Sequence, residues 1–148
     1  VLAMPVGHDL ADRSEVTLQQ LNRREFIMYS PLWDSLFHSL ITALFQNAGV
    51  SPNISQFVTQ VHSVLALVEA GLGVGLVPQS ALSLRFAGVT FRHLVRRHRQ
   101  TVDLFVAWRE EQDLQVIETF AALVREFARQ WKPPELPTTA RRRLPLFS

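Results

Sequence analysis

The sequence predicts an α/β domain with a mostly parallel sheet flanked by helices, and three observations carry that prediction. Short apolar runs alternate with longer amphipathic segments, glycine and proline stand at the junctions, and the apolar spacing changes sharply in residues 64–78. In Val64-Leu65-Ala66-Leu67-Val68-Glu69-Ala70-Gly71-Leu72-Gly73-Val74-Gly75-Leu76-Val77-Pro78 the spacing passes at the glycines from the step of a helix to a continuous run. The order is helix, glycines, strand. A dinucleotide fingerprint needs the reverse, a strand whose glycine turn opens a helix onto pyrophosphate, so this is no phosphate cradle. Gly71 is instead expected to supply the positive φ that closes a helix, while Gly73 and Gly75 let backbones approach closely.

The remaining elements follow in order. Residues 1–4 read as a strand and 7–13 as a polar connection. Thr17 can cap a short helix over 18–22, because its hydroxyl can accept from the free amides of the first turn. Residues 26–29 form a short buried strand, and Ser30-Pro31 is a helix-start signal with proline where its missing N–H costs nothing. Leu36, Phe37, Leu40, Ile41, Leu44 and Phe45 repeat at three and four residues to make one apolar helix face, which Gly49 ends. Residues 54–58 predict a strand, and Thr59 or Gln60 begins a helix running to Ala70. A strand over 72–77, a weak helical turn over 80–84, and strands over 89–94 and 102–108 come next. The last helix spans 114–131, with Ile117, Phe120, Val124, Phe127 and Trp131 on one stripe. From Lys132 onward, four of the eight prolines and Arg141-Arg142-Arg143 predict a flexible tail over 132–148.

At 148 residues the chain is one domain by length, able to bury roughly 70% of the surface that its unfolded form exposes. With no cysteine, neither a disulfide framework nor a thiolate metal site is available. The N-terminus lacks the basic region of a signal peptide and no segment has the length of a membrane span, so a cytoplasmic location without membrane contact is expected. The first residue is not Met and lies in what reads as mid-strand, so a fragment is expected. The formal charge is +2, but Arg92, Arg96, Arg97, Arg99 and Arg141 to Arg143 supply seven of fifteen cations; the remainder sets eight cations against thirteen acids. The body is thus acidic with local basic clusters, which is not the distribution of a phosphate-binding face. Arg92 to Arg99 reads as a solvated loop between strands.

His8, His38, His62, His93 and His98 are scattered rather than spaced as ligands, and no paired-carboxylate arrangement is present, so no metal and no cofactor are expected. Ser30 has the strand-to-helix placement of a hydrolase nucleophile but lacks the flanking glycines. A triad is spatial, so an acyl-transfer enzyme stays as the lesser alternative to a non-catalytic protein. Asn53-Ile54-Ser55 matches a glycosylation sequon, which matters only in a secreted chain. The stronger constellation is a binding rim. In an open α/β sheet, small ligands settle beyond the carboxyl ends of the strands and against helix N-termini. Tyr29-Ser30-Pro31-Leu32-Trp33 follows one strand and Phe57-Val58-Thr59-Gln60-Val61-His62 another, so each offers free amides beside polar and aromatic groups. Ser30, Gln60 and His62 are the candidate polar contacts. Pro31, Leu32, Trp33 and Phe57 shape the wall.

Residues 1–11, 16–30 and above all 64–80, followed by Val89-Thr90-Phe91-Arg92 and Leu104-Phe105-Val106-Ala107-Trp108-Arg109, resemble the effector-binding domain of LysR-type transcriptional regulators. The resemblance covers residues 1–131. It implies a periplasmic-binding-protein-like fold of two α/β lobes joined by crossover strands, with the inducer between them. On that basis residues 6–99 resemble the second lobe, 1–5 and 100–109 the crossover strands, and 110–131 the closing helix of the first lobe. A winged helix-turn-helix and most of the first lobe are not in this sequence, so the resemblance implies DNA binding only through a further N-terminal domain. Asp9 stands where the family commonly has proline.

The resemblance implies a domain that senses a small molecule, with an organic acid expected, in a cleft that this chain holds only in part. A fragment of a solute-binding protein of similar fold is the alternative. The stripe on the last helix would cover a sheet that is not in this sequence, and contiguous apolar surface finds partners. The chain is therefore expected either to form homo-oligomers through that helix or to fold the helix back on its own lobe.

Overall fold

A computed structural model describes residues 1–32, 36–95, 105–109 and 114–136. The chain divides into two compact units, Val1–Arg96 with the segment from Pro134 onward, and Arg97–Pro133.

The first unit is built around β1 (Leu2–Pro5), whose apolar residues Leu2, Ala3 and Met4 are fully buried. β1 lies between β5 (Gly75–Leu76) and β6 (Val89–Leu94), antiparallel to both, with Ala3 opposite Gly75 on one side and Phe91 on the other. β2 (Glu15–Val16) extends the sheet parallel to β6, giving the order β2-β6-β1-β5. A second sheet pairs β3 (Glu25–Tyr29) with β4 (Asn53–Val58) in parallel. The sheets are therefore more mixed in direction than the sequence reading expects. Helical crossovers impose a common strand direction only within strand-helix-strand repeats, and β1 belongs to none.

Residues 72–77 read as one strand, but their pairing is divided. Val74 bridges Phe26 of β3, Gly75 and Leu76 pair with β1, and Val77 N–H donates to Val1 O at 3.0 Å. This segment joins the two sheets, and the glycines make that possible. A Cβ on Gly73 would stand 2.6 Å from the Glu25 carbonyl oxygen, and one on Gly75 would stand 2.5 Å from Val64 Cγ1. The expected close approach is thus real at both positions.

Two helices pack on the sheets, α1 against β3 and α2 against β3 of one sheet and β1, β5 and β6 of the other. α1 (Leu36–Ala48) buries Ile41 and Phe45, and the Phe45 ring meets Phe26 edge-on with centroids 5.1 Å apart. Phe37 and Leu44 pack against the core while Leu36 stays exposed, so the buried face is narrower than its apolar pattern. α2 (Val61–Glu69) buries Val64, Leu65 and Val68. It closes as expected at Gly71, whose φ is +80°, with Leu72 N–H reaching Leu67 O at 3.0 Å and Gly71 N–H reaching Val68 O at 2.9 Å. Short 3-10 turns occupy Leu18–Leu21 and Gln79–Ser83. In the first, Gln20 Oε1 accepts from Thr17 N at 2.8 Å.

The register of β3 against β4 shifts between Phe26 and Ile27, which leaves Ser55 as the extra residue of a bulge. Its hydroxyl lies 3.0 Å from Leu72 O and 3.3 Å from Phe26 O and donates to one at a time. Beyond the bulge the ladder runs in register to Tyr29 and Val58, so the two strands end level with one another.

The second unit contains α3 (Leu114–Gln130). Phe120, Leu123, Phe127 and Trp131 are exposed, while Ile117 and Val124 are half-buried. Of the expected return strand over 102–108, residues 102–104 lie outside the described residues, and 105–108 are exposed and in neither strand nor helix. Of the tail predicted from Lys132, Pro134 and Leu136 belong to the first unit, where Gln79 Nε2 donates to Pro134 O at 2.9 Å and Leu136 packs against the core. Arg141 to Arg143 lie outside the described residues, as do Arg96, Arg97 and Arg99.

Candidate binding rim

The rim is made where β3 and β4 end. Tyr29 and Val58 are register partners, and the next amide, Ser30 N–H, donates to Val58 O at 2.8 Å. That bond brings together the two segments that the sequence nominated separately. Ser30 is only 8% exposed, and its Oγ accepts from Leu32 N–H at 3.2 Å, so the serine forms the turn that leads the chain towards α1. On the other strand the chain passes from Val58 through Thr59 to Gln60, the N-cap of α2. Gln60 has extended backbone geometry and makes no side-chain cap bond, while its carbonyl accepts from Val64 N–H at 3.2 Å. Among the described residues the first amides of α2 thus have no capping side chain, and such amides favour a negative or acceptor group.

Around this backbone frame stand the expected wall residues. Leu32 is 67% exposed and Phe57 is 56% exposed, and Pro31, Gln60 and His62 are exposed as well. Trp33 lies outside the described residues. Tyr29 faces elsewhere: its ring stacks on Phe37 of α1 with centroids 5.1 Å apart, and it is 2% exposed. Its hydroxyl has no hydrogen-bond partner among the described residues, and burial pushes its pKa far above the ordinary phenol value. It is thus a core residue with a stranded polar tip.

The arrangement offers groups suited to binding. It presents one buried hydroxyl already used by the backbone, helix amides that the Gln60 side chain does not cap, and exposed apolar and polar side chains. Among the described residues, no group of three or more His, Asp or Glu side chains could hold a metal ion. No described helix is long and apolar enough to cross a membrane. Sequence reasoning did not find Ser55, whose bulge aligns the strand ends. A lone serine within a strand pattern carries no distinguishing mark.

Comparison with known proteins bears on the family and the fold. The family described as LysR substrate binding domain matches residues 1–129. The Hca operon transcriptional activator HcaR of Escherichia coli (strain K12) is 29% identical over 126 residues, which are 85% of this chain and 42% of that protein. The chain therefore spans less than half the length of that relative. Among solved structures, the Synechocystis PCC6803 CcmR regulatory domain in complex with 2-PG superposes with a TM-score of 0.70 at 21% identity, covering 88% of this chain and 62% of the other. The BenM effector binding domain with its effector benzoate gives a TM-score of 0.63 at 20% identity, covering 93% and 64%. At those identities the two likenesses establish the fold.

Proposed function

The chain belongs to the LysR substrate binding domain family, and on that premise we propose that it senses a small organic acid on behalf of a transcriptional regulator. The observation that carries the reading is the bond from Ser30 N–H to Val58 O, which sets the ends of β3 and β4 level beside the uncapped start of α2. A carboxylate there would meet α2 amides, with Ser30, Gln60 and His62 as polar partners and Pro31, Leu32 and Phe57 as wall. The benzoate carried by the BenM domain is a ligand of that chemical class. The chain acts without catalysis, cofactor or membrane contact, in the cytoplasm, and DNA is engaged by a different segment of the regulator. A named transcriptional activator among its relatives favours this reading over a solute-binding protein.

In mechanism, the ligand shifts a conformational equilibrium only by its differential affinity for the two states. A rim that supplies one side of a cleft binds weakly, with Kd about 1 mM or above. The test is an NMR titration of the chain with benzoate and a panel of other carboxylates. Saturable amide shifts at Ser30, Leu32, Gln60 and His62, lost in Ser30→Ala, are the expected result. Shifts confined to other surfaces, or none with any carboxylate, would overturn the reading. Self-association belongs to the same proposal, since α3 presents Phe120, Leu123, Phe127 and Trp131 to solvent.

A further inference from the structure

In the turn that follows β1, two incompatible demands fall on one nitrogen. His8 Nδ1 accepts from Leu10 N–H at 3.3 Å and also lies 3.0 Å from Asp9 Oδ1. A neutral ring with its proton on Nε2 satisfies Leu10 but sets a lone pair against a carboxylate oxygen. A doubly protonated ring satisfies Asp9 and withdraws the acceptor from Leu10. No single protonation state meets both.

The contested oxygen is already in use. Arg24 donates from Nη1 to Asp9 Oδ1 at 2.8 Å and from Nη2 to Oδ2 at 2.6 Å, while its Nε donates to Gln20 O at 2.8 Å. That fork ties the turn to the segment entering β3. The rest of the turn is held firmly: His8 N–H donates to Pro5 O at 3.1 Å, Ala11 N–H donates to His8 O at 2.8 Å, and Leu10 is buried in the core. Arg92 of β6 donates from Nε to Arg13 O at 2.7 Å and from Nη2 to Ala11 O. Motion on protonation is thereby confined to the His8–Asp9–Arg24 contact.

We propose that His8 is a proton-operated toggle of this turn: neutral, it holds the Leu10 amide; protonated, it releases that amide and donates to Asp9 Oδ1 beside Arg24. The toggle goes beyond the effector reading and does not depend on it. The charged groups acting on the ring are Asp9 from its own turn, which favours the charged form, and Arg24 from the segment before β3, which opposes it. Burial is the largest influence and also opposes charge, so the ring titrates on the acid side of the ordinary value of 6.5. The device belongs to this chain through Asp9, since a proline at that position would offer neither a carboxylate nor an ion pair with Arg24.

The test follows the His8 ring nitrogens and the Leu10 amide by two-dimensional NMR on the full chain, from about pH 8 to about pH 5. The expected result is an unprotonated Nδ1 at high pH and one shared midpoint, below 6.5, for the ring and the Leu10 amide. Asp9→Asn lowers that midpoint and Arg24→Gln raises it, each by roughly 0.5 pH unit. Both side chains reach solvent, at 60% and 34% exposure, so both variants are expected to fold. A Leu10 amide that does not titrate with the ring, or a midpoint that stays put or moves the wrong way in either variant, would overturn the proposal.

Discussion

Replacing Gly73 by Ala puts the junction of the two sheets to a direct test. Gly73 has φ +148°, and an added Cβ would lie 2.6 Å from Glu25 O, 2.8 Å from Glu25 C and 3.2 Å from Phe26 N. All three are backbone atoms, so no side chain can rotate aside. Reaching an ordinary contact of 3.4 Å requires the strands to separate by about 0.8 Å. The adjacent bonds cannot absorb that: Val74 N–H donates to Glu25 O at 3.0 Å and Ile27 N–H to Val74 O at 2.8 Å. Losing both costs about 2 kcal/mol at roughly 1 kcal/mol each, and holding Ala at this φ adds about 1–3 kcal/mol. The expected destabilisation is about 3–5 kcal/mol. Gly7→Ala is the control, because Gly7 also has positive φ, at +87°, yet a Cβ there meets nothing within 4 Å. It should cost about 1–2 kcal/mol, for backbone conformation alone. Urea unfolding followed by far-UV circular dichroism reads both, and with a slope of about 2 kcal/mol per molar the Gly73 variant should shift its midpoint by about 1.5 M or more. If Gly73→Ala loses no more stability than Gly7→Ala, the close approach at Glu25 does not govern this fold.

Glu69 Oε1 accepts from Gly88 N–H at 2.7 Å and so fastens the end of α2 to the approach to β6; Glu69→Ala should cost about 1 kcal/mol in the same urea assay, while Glu118→Ala on α3 should leave the midpoint near that of the parent. Acidification should destabilise the chain in two steps. His8 titrates below 6.5 and Asp9, held by Arg24, below 3.8, so in each case the unfolded chain binds the proton first. Stability is therefore full above about pH 7, falls as pH drops from 6.5 through the folded His8 value, and falls again below 3.8; His8→Asn should remove the first step from a series of urea midpoints. Phe127→Glu should lower self-association in sedimentation velocity, whereas Arg125→Gln should not.

The parts of the fold that could be read in the sequence are those whose cause is local. Ser30-Pro31 reads as a helix start, and the structure keeps only the local part of that reading: Ser30 Oγ accepts from Leu32 N–H, while Pro31 and Leu32 are in no helix and α1 is described from Leu36. Gly71 marks a helix end because only positive φ allows Leu72 N–H to reach Leu67 O. Gly73 and Gly75 announce close approach, yet nothing near them names the partners, since Glu25 and Val64 are remote or on another element. The same limit shortened β5: an apolar run over 72–77 cannot reveal that Val74 pairs with β3 while Gly75 and Leu76 pair with β1. Tyr29, which ends β3 beside the rim, is core by direction, because one residue of register decides which face a strand side chain takes. The nearness of the two nominated segments was legible for the converse reason. Strand ends and helix starts are local features, and a parallel pair in register places two of them side by side without any further instruction. Contacts such as Asp9 with Arg24, fifteen residues apart, are by contrast not encoded in composition or periodicity. A search for what distinguishes this chain from its relatives should therefore begin with charged pairs that bridge turns, since the rim is built mainly from backbone.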